Sequence, residues 1–80
     1  MPRPMSIPSE AETGVLALTV NGETVATSAP SLDALLAELG YAGRKVATAL
    51  NGAFVAAAAR AATPLAPGDR IEIVAPRSGG

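Results

Sequence analysis

Eighty residues with seven acidic and six basic side chains, net charge −1, bound the chain to one small domain without the basic excess that phosphate-backbone binding needs. The chain has no cysteine and no histidine, which excludes a disulfide staple, a thiol nucleophile and the commonest general base and metal ligand. Tyr41 and Phe54 are the only aromatics, so base stacking has no platform, and the longest apolar run, around Phe54 to Ala59, falls far below the roughly 18 residues of a membrane span.

Residues 1–14 hold three prolines, two serines and two glutamates with no periodicity, and read as a disordered leader. Arg3 lies in it, but no apolar segment follows as in a secretory signal. The expectation is a cytoplasmic protein without catalytic machinery of its own, with neither nucleic acid nor membrane as partner.

The domain is expected over residues 15–76. From Val15 to Val20, Leu16, Leu18 and Val20 alternate with Val15, Ala17 and Thr19, a strand pattern. Asn21-Gly22 follows, and Glu23 to Thr27 resumes an extended pattern around Val25. Asn-Gly between two such runs predicts a hairpin, because a type I′ turn needs φ > 0 at both central residues.

Pro30 ends the strand and Ser31 stands at an N-cap position, with Asp33 suited to the positive end of the helix dipole. Leu32, Leu35, Leu36 and Leu39 fall at i, i+3, i+4 and i+7, one apolar stripe, and Gly40 supplies the left-handed residue that closes a helix. That helix must lie across the sheet. Arg44-Lys45 mark a loop, and Val46 to Leu50 form another strand before Asn51-Gly52 repeats the hairpin signature into Phe54-Val55. For Ala56 to Ala62, interrupted by Arg60, a single helical turn and a packed loop both fit. Pro67-Gly68-Asp69 is a turn, and Arg70 to Ala75 is the last strand, with Ile71 and Ile73 directed inward. Pro76 lacks an amide donor and ends the ladder.

Arg77-Ser78-Gly79-Gly80 then form a tail. Two residues without a Cβ can thread a channel too narrow for a side chain, and four extended residues reach roughly 13 Å. An apolar patch beside the tail would be needed for docking. Val74, pointing away from Ile71 and Ile73, is its best candidate, with Val15 and Ala17 on the outer face of the first strand extending it.

The order of hairpin, capped helix, strand–turn–strand, closing strand and Gly-Gly resembles the ubiquitin-like β-grasp fold, an α+β class with a mixed sheet of about four to five strands on one main helix. The segments LTVNGETV, SLDALLAELG, VATALNGAFV, TPLAPGDRIEIV and the final GG resemble the ThiS sulfur carriers of thiamine biosynthesis. The sequence departs from that family in its longer leader and in AAAAR after Phe54-Val55, where members often carry a polar segment with an aromatic residue. The resemblance implies a carrier, not an enzyme. Its C-terminal glycine, here Gly80, is adenylated from ATP by a separate E1-like enzyme of the ThiF type. Sulfur from a donor protein then gives a thiocarboxylate, used by a ThiG-type thiazole synthase. Gly79 would allow entry to the partner's channel, Ser78 and Arg77 would be its approach, and no cofactor is bound to the carrier. The small subunit of molybdopterin synthase shares the fold, the Gly-Gly end and the thiocarboxylate chemistry. The compact turn after Val20 and the short hairpin-to-helix link favour the thiamine carrier. A lysine-conjugated protein modifier and a plain interaction domain are the other readings, since this fold serves many roles.

Overall fold

The computed structural model describes residues 15–76. The leader expected over residues 1–14 and the tail over residues 77–80 lie outside the described residues. The first hairpin is β1 (Leu16–Val20) and β2 (Glu23–Thr27), antiparallel with Leu18 opposite Val25. Its turn has φ of 52° at Asn21 and 86° at Gly22, the left-handed pair that two-residue hairpins require. The second hairpin, β3 (Ala47–Leu50) and β4 (Ala53–Val55), repeats this with φ of 50° at Asn51 and 87° at Gly52. The last strand, β5 (Arg70–Val74), sits between the hairpins, so the sheet order is β2-β1-β5-β3-β4. It runs parallel to β1 and antiparallel to β3. With one helix packed on one face, this mixed five-stranded sheet is the ubiquitin-like β-grasp arrangement.

The helix α1 spans Leu32–Glu38. At its start the Ser31 hydroxyl accepts from the Ala34 amide at 3.2 Å, relieving one free donor of the first turn. At its end Gly40 takes φ of 93°, the Tyr41 amide donates to Leu36 O at 2.8 Å and the Gly40 amide donates to Ala37 O at 3.2 Å. These are the paired bonds of a Schellman cap. Leu32 and Leu35 are fully buried and Leu36 nearly so. They meet Leu18, Ile71 and Ile73 from the inner face of the sheet. Each buried leucine stabilises by roughly 2 kcal/mol at about 25 cal/mol per Å². Leu39, expected in the same stripe, is the C-cap residue and only half-buried.

The alanine-rich stretch is a 3-10 helix over Ala57–Ala62 that packs against α1. Ala66 to Asp69 closes a turn in which the Asp69 amide donates to Ala66 O and Gly68 takes φ of 83°. Three expected strands are shorter than the pattern suggested: Val15, Val46 and Ala75 lie just outside β1, β3 and β5.

The two asparagines do more than turn the chain. A left-handed residue swings its own carbonyl away from the ladder, and each asparagine puts its side-chain oxygen in that place. Asn21 donates its backbone amide to Ile71 O at 2.9 Å, and its Oδ1 accepts from the Ile73 amide at 2.8 Å. Its Nδ2 also donates to Ile73 O at 3.1 Å. On the other edge of β5, Asn51 donates its backbone amide to Arg70 O at 2.7 Å, and its Oδ1 accepts from the Arg70 amide at 2.8 Å. Replacing Asn21 by Gly keeps the turn's φ but leaves the Ile73 peptide without partners. Asn21→Gly should therefore destabilise by about 1–3 kcal/mol, read as a lower urea midpoint with unchanged slope. Asn21→Ala should cost about 1 kcal/mol more, from the strain of a Cβ at positive φ.

Candidate functional site

Hydrogen bonding fixes where the last strand leaves the sheet. Val74 is the last residue of β5 in register, opposite Ala47 of β3. Ala75 and Pro76 follow, both exposed. Alternation along β5 buries Ile71 and Ile73 and turns Arg70, Glu72 and Val74 outward. Val74 is 63% exposed, a large apolar side chain on the face opposite α1. Its outward direction is the one the alternation predicts.

Val15 and Ala17 are exposed too, but they do not join Val74. The parallel register sets Val20 beside Ile71, and the Gly68 amide donates to Ala17 O at 2.8 Å. Ala17 therefore sits where β5 begins and Val74 where it ends, six residues on, a separation of roughly 20 Å along the strand. The docking surface expected to run from Val74 to Val15 and Ala17 is two separate places. The parallel pairing of β1 and β5 is the reason.

What lies beside Val74 instead comes from the second hairpin. Ala47 pairs with Val74, Ala49 pairs with both Glu72 and Phe54, and directly opposed residues share a face. Phe54 is 72% exposed on this outer face. Sequence reading missed it; the available signal was that adjacent Phe54 and Val55 must point to opposite sides of a strand, and Val55 packs on the core.

At the end of the β3–β5 pair, Val74 and Pro76 also line a groove of about 490 Å³ with Arg44, Lys45 and Arg60. Its charged lining residues are all cationic. Arg44 lies over the Tyr41 ring at 5.7 Å. Arg60 is only 9% exposed: its Nε donates to Thr48 Oγ1 at 3.0 Å and its Nη2 to Val46 O at 2.6 Å. Thr48 in turn donates to Val55 O at 2.8 Å. Arg60 thus ties the 3-10 helix to both strands of the second hairpin, and it has no carboxylate partner among the described residues. A lone arginine in an alanine run carries no local signal of this burial, since its partner Thr48 lies twelve residues away. Gly80, Gly79, Ser78 and Arg77 lie outside the described residues, so the structure places only their point of departure at Pro76.

Arg60→Met keeps the stem but removes the donors facing Thr48 and Val46. It should lower the unfolding free energy by about 1–3 kcal/mol in urea titration. Arg60→Lys should restore less than half of that, since one ammonium cannot span both acceptors in the planar geometry of a guanidinium.

Comparison with known proteins gives the site its context. A comparison with curated proteins finds no significant match. Among solved structures, the chain is similar to the thiamine biosynthesis protein ThiS from Geobacter metallireducens, at 35% identity and a TM-score of 0.66, covering 81% of this chain and 100% of that one. Residues 16–80, from the first strand through both terminal glycines, match the ThiS family, and the chain belongs to that family.

Proposed function

We propose that this chain is a sulfur carrier of thiamine biosynthesis, a co-substrate rather than an enzyme, whose reacting group is the carboxylate of Gly80. The observation that carries this reading is the family match, which runs through Gly80. The placement of Pro76, exposed at the end of the central strand, supports it from the structure. The name of the similar Geobacter protein points to the same pathway and favours it over molybdopterin synthesis.

The chemistry sets what each party must supply. A free carboxylate is a poor electrophile. One of its oxygens attacks the α-phosphorus of ATP, pyrophosphate leaves, and the acyl carbon now carries AMP as a leaving group. A sulfur nucleophile delivered by a donor protein then attacks that carbon and displaces AMP, on the way to the thiocarboxylate used in thiazole formation. Both steps depend on holding the acyl carbon against its reactant. Charge developing on the acyl oxygen requires donors preorganised around it, and these belong to an E1-like adenylating partner of the ThiF type and a thiazole synthase of the ThiG type. Gly79 and Gly80 would enter the partner's channel, with Arg77 and Ser78 as their approach. The carrier's own share is recognition, through the outer face around Val74, Ala47 and Phe54.

Deleting Gly80 should leave the urea transition unchanged and abolish the oxygen-for-sulfur mass change on incubation with the activating enzyme, ATP and a sulfur source. Normal adenylation of the truncated chain would overturn the assignment. Val74→Asp, at an exposed position, should change stability by no more than about 0.5 kcal/mol. It should lower kcat/KM for adenylation about tenfold, as a charge set into the centre of an apolar contact does; steady-state pyrophosphate release reads this directly.

A further inference from the structure

Both asparagines of this chain precede glycine, and the chain has no glutamine. Asn-Gly is the sequence in which an asparagine side chain is most open to attack by the next backbone nitrogen, because glycine puts no Cβ in the way. Asparagine is a thermolabile residue for this reason. The same two side chains hold β5 on its two edges, so their chemistry and the integrity of the sheet are linked.

We propose that Asn21 and Asn51 are deamidation sites whose rates are set by the hydrogen bonds that tie them to β5, with Asn51 the reactive site of the folded protein and Asn21 the protected one. In each, the following glycine's nitrogen loses its proton to hydroxide and attacks the asparagine Cγ. The N–Cγ bond forms, the Cγ–Nδ2 bond breaks, and ammonia leaves with a proton taken from water. Water then opens the succinimide at one carbonyl or the other, giving aspartate or isoaspartate. No oxidant or cofactor enters; the net exchange is one ammonia lost for one water gained.

The structure separates the two sites. Both asparagines are exposed residues, but the Asn21 carboxamide grips both backbone polar atoms of the buried Ile73, accepting at 2.8 Å and donating at 3.1 Å. Bringing Cγ onto the Gly22 nitrogen requires swinging that carboxamide off the central strand. Asn51 makes its two side-chain bonds in an exposed place, to the Arg70 amide at 2.8 Å and to Asp69 Oδ1 at 3.0 Å, where water replaces them readily. The products differ as well. At Asn51 the new carboxylate faces that of Asp69, with the Arg70 guanidinium close by, 3.4 Å from where a Cβ on Gly52 would stand. At Asn21 a new oxygen faces Ile73 O, where an N–H had donated, and the bond beside the end of β5 is lost.

The test is ageing of the full chain at mildly alkaline pH, in buffer and in concentrated urea. Trypsin, cutting after Arg44, Lys45 and Arg60, places Asn21 and Asn51 on separate peptides, and with no glutamine present every amide-to-acid mass gain belongs to one of them. In urea the two sites should react at similar rates. In buffer Asn51 should outpace Asn21 by about tenfold or more, the protection expected of two hydrogen bonds anchored on a buried residue of the central strand. Equal rates in buffer, or Asn21 reacting first, would overturn the proposal.

Discussion

A parallel strand pair has to be stitched by bonds that a hairpin cannot supply, and here only Thr19 and Val20 of β1 stand in register with β5. Two residues of parallel ladder are little to hold the central strand of a sheet. Asn21 lengthens the ladder by one step, with its side-chain carbonyl standing in for the backbone carbonyl that the turn has rotated away. Asn51 does the same on the antiparallel side. The residue type that best tolerates φ > 0 after glycine is thus also the one whose side chain copies a peptide group. Turn formation and the closing of the sheet around β5 are one requirement on the sequence, met twice.

Once β5 is held on both edges, the rest of the core follows. Ile71 and Ile73 face inward at fixed heights, and the α1 leucines meet them across a layer only one helix deep. Thr27 joins the end of β2 to that helix, donating to Glu38 Oε1 at 2.7 Å and accepting from the Ala29 amide at 3.0 Å. The 3-10 helix contributes little apolar area, since its residues other than Arg60 are exposed alanines. Its link to the sheet is polar, through one guanidinium that satisfies a buried threonine and a carbonyl. Alanine allows the tight turn and arginine makes the connection, so the alanine-rich segment is structurally coherent.

Local signals in the sequence carried far. Two Asn-Gly pairs, a leucine stripe with Ser31 before it and Gly40 after it, and the alternation of Ile71 and Ile73 each describe a few neighbouring residues, and each corresponds to an element of the structure. What could not be read there depends on which strands become neighbours. Val74 and Ala17 look alike as outward apolar residues, yet the parallel register sends them to opposite ends of the sheet. Phe54 becomes a neighbour of the Val74 region only because β3 pairs with both β4 and β5. Arg60 is buried by a contact with Thr48, twelve residues away, that no period reports. The asparagine side chains were legible as turn formers but not as strand partners, because Ile73 lies 52 residues from Asn21.

For a carrier, the useful consequence is a sharply placed boundary between what is fixed and what is presented. Bonds from both neighbours run up β5 as far as Ile73 and Val74, and Pro76 has no amide with which to continue the ladder. A partner that grips the outer face at Val74 therefore also fixes the origin of whatever follows Pro76 to within a peptide unit. On the proposed reading the reacting acyl carbon is that of Gly80, four residues from that origin, and it can reach no farther than about 13 Å from it. Confining a reacting atom to a small volume before it meets its co-substrate is where the entropic part of rate enhancement comes from. On the proposed reading, the asparagine bonds that complete the sheet contribute to catalysis in the partner without touching the reacting group. They act by deciding where the sheet lets go of the chain.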